Sequence, residues 1–208
     1  MKYPVQLMEL EKGFNIYVPD TALVKSTYAQ LIVSDTQALF PFWAKLWASS
    51  KVLTQFLVAN PKWVQDKVVL EMGAGIGQPS LTIAKEAKEV IISDHNADAV
   101  ALIEKNITQL GLTNAKGVLL DWNIFDYSIA ADTILLSDIN YAPEAFDPLL
   151  KIIMHNITKG AVIIIATPQR IMGIPFIESW QPYIKESFTK SIFEEDKEVF
   201  ISIYILYK

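Results

Sequence analysis

Cysteine is absent from the 208-residue chain, and histidine occurs only twice, as His95 and His155. Without thiols no disulfide or thiolate-bound metal can form, a usage that suits a reducing compartment, so a cytoplasmic protein is expected. The two histidines stand far apart and in no metal-ligand spacing, so no metal site is expected. Long apolar runs are also missing. No stretch approaches the ~18 consecutive apolar residues of a membrane span, and the opening residues lack the apolar core of a signal peptide, so no membrane partner is expected. Positive charge is in deficit: 18 Lys and Arg against 23 Asp and Glu leave a net charge of −5. Nucleic-acid binders generally show a basic footprint, so no nucleic-acid partner is expected.

What remains is an ordinary globular composition, 51% hydrophobic and 20% charged, neither disordered nor fibrous. The length suits one domain with a substantial core. Residues 1–208 are read as a single unit, with an N-terminal extension and lead-in over 1–60 and a core over 66–208.

From Val68 onward, short apolar runs alternate with helix-like segments. Val68–Glu71, Val90–Ser93, Gly117–Leu120, Thr133–Ser137 and Ala161–Ala166 are rich in Val, Ile and Leu and bounded by turn-forming residues, as buried parallel strands are. Ser80–Lys88, Ala97–Leu110 and Ala145–Asn156 carry apolar residues at helical spacing. Such alternation predicts an α/β fold, a mostly parallel sheet with helices on both faces. The C-terminus breaks the rhythm. Phe188–Phe193 and Val199–Tyr207 leave no room for a helix between them and are expected to pair as an antiparallel hairpin. The sheet then has seven strands, one of them reversed. Ahead of the core, Lys45–Ala59 reads as a helix behind an aromatic cluster (Phe40, Phe42, Trp43, Trp47), and Phe14–Val18 and Ala29–Val33 read as β segments.

Three strand ends carry residues suited to a nucleoside ligand. After Glu71 come Gly73, Gly75 and Gly77, with Ala74 and Ile76 between them and Pro79 where a helix's first turn tolerates proline. Glycines turn the chain sharply and let its backbone approach a ligand, and the helix N-terminus offers free amides. A dinucleotide fingerprint would place a third glycine where this chain has Gln78. Asp94 closes the second strand, where an acid accepts from both ribose hydroxyls; a helix N-cap is the competing reading. Asp121 closes the third strand, where an acid can accept from an adenine amino group with the flat indole of Trp122 beside it. The fourth strand ends Ser137-Asp138-Ile139-Asn140-Tyr141, at the strand C-termini where open parallel sheets bind ligands. Asp138 can hold an amine, and Tyr141 can wall it with a cation–π face.

The spacing Glu71-x-Gly73-x-Gly75-x-Gly77 resembles the cofactor motif of class I S-adenosylmethionine-dependent methyltransferases, and the parallel sheet closed by a hairpin is similar to their Rossmann-like seven-stranded fold. Asp138-x-x-Tyr141 looks like the acid-x-x-aromatic motif of the seven-β-strand protein lysine methyltransferases. Pro41-Phe42-Trp43-Ala44-Lys45-Leu46-Trp47-Ala48-Ser49-Ser50 is similar to the lead-in of the electron-transfer-flavoprotein β-subunit lysine methyltransferases, and Leu120-Asp121-Trp122 to a motif of related chaperone enzymes. This resemblance implies S-adenosyl-L-methionine as cofactor and a lysine of a protein as substrate. It implies that Trp47, Glu71, Gly73, Ala74, Gly75, Gly77, Asp94, Asp121, Trp122 and Ser137 line the cofactor, and that Asp138 and Tyr141 meet the amine. His95-Asn96 replaces the usual continuation after Asp94. A methyltransferase of a small molecule or of another nitrogen substrate, a nicotinamide-dependent oxidoreductase and a non-catalytic cofactor-binding module are the alternatives.

Overall fold

The computed structural model describes residues 2–140, 143–194 and 196–208. It opens on a hairpin of β1 (Val5–Glu11) and β2 (Phe14–Pro19), followed by α1 (Thr21–Ser34). A 3-10 turn at Phe42–Ala44 leads into α2 (Ala48–Ala59). Then come β3 (Val68–Met72), α3 (Gln78–Ile83), β4 (Glu89–Asp94), α4 (Ala97–Gln109), β5 (Ala115–Leu119) and β6 (Thr133–Ser137). The chain finishes with α5 (Phe146–Thr158), β7 (Val162–Pro168), α6 (Ile174–Glu178), β8 (Ile184–Glu194) and β9 (Lys197–Leu206).

The expected sheet is present. Its seven strands run β5-β4-β3-β6-β7-β9-β8, with β9 slotted between β7 and β8 and antiparallel to both. Strand alternation assigns side chains to two cores. Val69, Leu135 and Ile164 face one hydrophobic cluster with Leu53 and Leu57 of α2 and Leu102 and Ile103 of α4. Their neighbours Leu70, Ile134, Leu136, Ile163 and Ile165 face the other, with Leu149, Ile152 and Ile153 of α5 and Phe176 of α6. Buried on both faces, these strands have no polar alternation to show, which is why they read as continuous Val/Ile/Leu runs.

Two expectations about local structure fail. Ala29–Val33, read as a β segment from its branched residues, lies inside α1. The Asp20 carboxylate accepts from the amides of Ala22 and Leu23 at 3.0 and 3.2 Å, and this cap starts a helix that outweighs the weak β preference of Leu-Ile-Val. The strand that pairs with Phe14–Pro19 is instead Val5–Glu11, whose mixture of exposed Leu7 and Met8 with charge shows no clean alternation. The helix expected over Ser80–Lys88 is also shorter. It begins at Gly77 as N-cap and ends at Ile83, where the amides of Glu86 and Ala87 turn back onto the Ile83 carbonyl. Among the described residues no helix is long and apolar enough to cross a membrane.

One side chain ties the N-terminal hairpin to the sheet. Asn106 on α4, fully buried, accepts from the Tyr17 amide at 2.7 Å and donates to the Tyr17 carbonyl at 2.9 Å. Its amide thereby pairs with β2 as a neighbouring strand would, while Lys105 Nζ sits 3.6 Å from the Tyr17 ring centroid. Replacing Asn106 by Ala leaves both backbone groups unpaired in the interior. The expected loss is about 1–3 kcal/mol of unfolding free energy, read as a lowered urea midpoint with an unchanged slope.

Candidate active site

The carboxyl ends of β4, β3 and β6 converge where the strand order reverses, the place where open α/β sheets hold ligands. The turn after β3 forms because three glycines take left-handed φ values: +64° at Gly73, +56° at Gly75 and +77° at Gly77. The close approaches around them leave little room for a side chain. A Cβ on Gly75 would stand 3.0 Å from the Trp43 carbonyl oxygen, and one on Gly73 3.2 Å from Ile139 and 3.4 Å from the Trp122 ring. A Cβ on Gly77 would press Ile92 at 3.0 Å, so this glycine serves the close packing of α3 on the sheet. The turn thus gathers the lead-in, the segment after β5 and the segment after β6 onto one short piece of backbone.

Hydrogen bonds fix its shape. The Ala74 amide donates to the Ser93 carbonyl at 2.9 Å, and the Gly75 amide to Asp94 Oδ2 at 2.8 Å. Asp94 Oδ1 accepts from the Asn96 amide at 2.9 Å and lies 3.4 Å from His95 Nδ1. The N-cap of α4 is Asn96, which accepts from Asp98 and Ala99, so the carboxylate of Asp94 is not used for capping. Two donors leave acceptor positions of a carboxylate open. Trp122 stands against the turn through Gly73, with its ring centroid 6.4 Å from that of His95.

The other expected residues are placed as follows. Glu71 is fully buried under the turn. Its Oε2 accepts from the Ser80 amide at 3.1 Å, and its Oε1 has no hydrogen-bond partner among the described residues. Trp47 donates from its indole to the Phe42 carbonyl at 2.9 Å, and it lines a cavity of about 540 Å³ together with Ile76 of the turn. The tryptophan whose backbone meets Gly75 is Trp43, which the sequence shows in the aromatic cluster and the lead-in without assigning it a place at the turn. Asp121 is exposed and holds Asn123 through its backbone and side-chain amides, at 2.9 and 2.8 Å. Ser137, half-buried, ends β6. Tyr141 lies outside the described residues.

Asp138 has a left-handed φ of 56°, a region acidic residues tolerate better than most and one often found at functional sites. Its amide donates to the Ala166 carbonyl of β7 at 2.9 Å. Its carboxylate is gripped by both terminal nitrogens of Arg170, Nη1 on Oδ1 and Nη2 on Oδ2 at 3.2 Å. Arg170 is the only arginine in the chain, and residue-by-residue reading passed over it. Its rarity was the available signal. Beside this pair Asn140, almost fully buried, accepts from the Thr167 hydroxyl.

The architecture is that of a Rossmann-like methyltransferase. It is similar to the N-methyltransferase NodS from Bradyrhizobium japonicum in complex with S-adenosyl-L-homocysteine, with a TM-score of 0.63 over 86% of this chain and 98% of that one; at 13% identity the likeness is one of fold. Residues 25–190 match the lysine methyltransferase family, and the chain belongs to it. It is 32% identical over 135 residues to a calmodulin-lysine N-methyltransferase of Arabidopsis thaliana, covering 60% of this chain and 44% of that protein. To histone-arginine methyltransferase METTL23 of Homo sapiens it is 30% identical over 120 residues, 53% and 63% of the two chains. The chain therefore spans roughly half the length of these relatives.

Burial pushes the Glu71 carboxyl up to about 7, against the pull of its hydrogen bond from Ser80, and the nearby charge of Asp94 adds to the rise. A carboxyl whose folded-state value is raised holds its proton better in the native state. Its stabilising contribution is complete below about 4.5 and is lost as pH rises through about 7. Unfolding free energy should therefore fall across that window by up to about 3 kcal/mol from this group. Glu71→Gln should flatten the profile, measured by urea unfolding at a series of pH values.

Proposed function

We propose that this chain is a cytoplasmic enzyme that transfers a methyl group from S-adenosyl-L-methionine to the side-chain nitrogen of a protein lysine. The observation that carries the reading is a juxtaposition: Ile139, next to Asp138, packs on Gly73 of the glycine turn, so an amine held by Asp138 lies beside whatever the turn holds.

The residues present fit that donor. The Asp94 carboxylate can accept from ribose hydroxyls, Trp122 offers a flat face at Gly73, and the bare glycine backbone lets a ligand approach. Glu71 Oε1, buried and without a partner among the described residues, suits the ammonium of a methionine moiety. Trp47 and Ala74 would border the same pocket, with Asp121 and Ser137 at its ends. When bound, the donor supplies an electrophilic methyl carbon on a positively charged sulfur.

The protein's part is alignment and field. Asp138 would accept hydrogen bonds from the incoming nitrogen and fix its direction, and Tyr141 would wall the alkyl chain and charge. A lysine must give up its proton to solvent before it can attack, because only the free amine has a lone pair. A positive sulfur alongside lowers its pKa and favours that loss, against the opposite pull of the Asp138 carboxylate. The reversed strand β9 and the Gln78 position both speak against the nicotinamide alternative.

Asp138→Ala should lower transfer by about a hundredfold or more while leaving affinity for S-adenosylhomocysteine within a few-fold, measured by calorimetry. Loss of both would put Asp138 in the cofactor pocket instead. The decisive experiment incubates the purified protein and a tritiated methyl donor with a cell lysate. Label should appear in protein and be released on hydrolysis as methyl-lysine. Label confined to nucleic acid or small molecules, or none despite bound S-adenosylhomocysteine, sinks the lysine reading.

A further inference from the structure

We infer that Arg170 is an internal stand-in for the substrate's cation: it occupies Asp138 while no acceptor is bound and must be displaced by a positively charged acceptor. The inference rests on the methyl-transfer reading, since it concerns the same acceptor carboxylate.

The pair is built asymmetrically. The Asp138 side chain is 10% exposed and that of Arg170 is 31% exposed, so the guanidinium is the outer partner and covers the carboxylate from the solvent side. Asp138 is anchored through its own amide to β7. Arg170 follows β7 and precedes the 3-10 turn Ile171–Gly173, outside any strand or helix as Asp138 also is. The half of the pair with the greater reach is the arginine, whose guanidinium sits on a long flexible stem. It also has somewhere to go. A cavity of about 430 Å³ lies alongside, lined by Arg170 itself, by Asn140 and Thr167, by Ile174 and Ile177, and by Glu178. Glu178 offers a second carboxylate on the wall of that space.

A carboxylate gripped by both arms of a guanidinium has the directions between its two oxygens filled, one on each oxygen, and keeps only its outer ones. A lysine ammonium that takes the place between the oxygens of Asp138 does so by exchange, one cation for another, with no change in the charge of the pocket. A neutral side chain has nothing to exchange and would leave the acid uncompensated, so the arrangement selects acceptors that arrive protonated. The choice of arginine is itself informative, because 17 of the chain's 18 basic residues are lysine. A guanidinium keeps its charge in any local field. A lysine at this position could lose its proton when enclosed and would then be a nucleophile inside its own acceptor site.

With a single arginine, the protein has a single arginine Nε resonance, so the test needs no assignment. The ¹⁵N-labelled protein is first saturated with S-adenosylhomocysteine, then titrated with n-butylammonium as a lysine side-chain mimic. The Nε signal should move saturably toward the position it has in Asp138→Asn protein. Arg170→Gln should bind n-butylammonium about threefold or more tightly than the parent, the scale of a partly exposed ion pair, with unchanged affinity for S-adenosylhomocysteine. Arg170→Lys, which keeps the competing charge, should bind it more weakly than Arg170→Gln. An Nε signal that stays put, or a glutamine variant that binds no tighter than the parent, overturns the inference. A protein that does not bind S-adenosylhomocysteine removes the methyl-transfer reading and this inference with it.

Discussion

Around the turn after β3, three glycines carry no side chain, so neighbouring segments can close onto the bare backbone. The Trp43 carbonyl, the Trp122 ring, Ile139 and Ile92 all press on positions 73, 75 and 77 at distances a Cβ would contest. Each approach belongs to a different part of the chain: the lead-in before α2, the loop after β5, the loop after β6, and β4. Left-handed φ at all three glycines is the geometric condition for this convergence, and alanine in any of them would meet both a steric and a conformational cost. The candidate site is thus a consequence of close packing at one turn.

Acidic groups crowd the same region. Glu71 lies beneath the turn, Asp94 holds its amide, and Asp138 follows the neighbouring strand. They are kept compatible by different means. Glu71 is buried deeply enough to retain a proton near neutrality. Asp94 accepts from the backbone amides of Gly75 and Asn96. Asp138 is neutralised by the chain's one guanidinium.

The main lines of the fold were legible because buried parallel strands and amphipathic helices have distinct periods. The expected bounds match Thr133–Ser137 to the residue and Ala97–Leu110 nearly so, while the first strand of the C-terminal hairpin begins four residues earlier than expected, at Ile184. The misreadings fell where local signals were weak. The stretch Leu-Ile-Val in α1 looked extended until the Asp20 cap is taken into account, and β1 has no alternation to betray it. Of the site, the glycine spacing, Asp94, Trp122 and Asp138 were recognisable by their register at strand ends. Trp43 and Arg170 were not. A carbonyl that meets a glycine leaves no trace in residue type, and the partner of Asp138 stands 32 positions away along the chain.

By itself the amino-acid order determined that a strand would end in a left-handed glycine turn, that acids would close the next strands, and that a hairpin would close the sheet. These are local properties, written in φ preference, side-chain period and turn residues. The tertiary structure decided which of those residues meet. The Trp43 carbonyl meets Gly75, Asn106 holds the N-terminal hairpin, and Arg170 covers Asp138. Such pairings depend on where separate elements cross in space, and no local propensity specifies that.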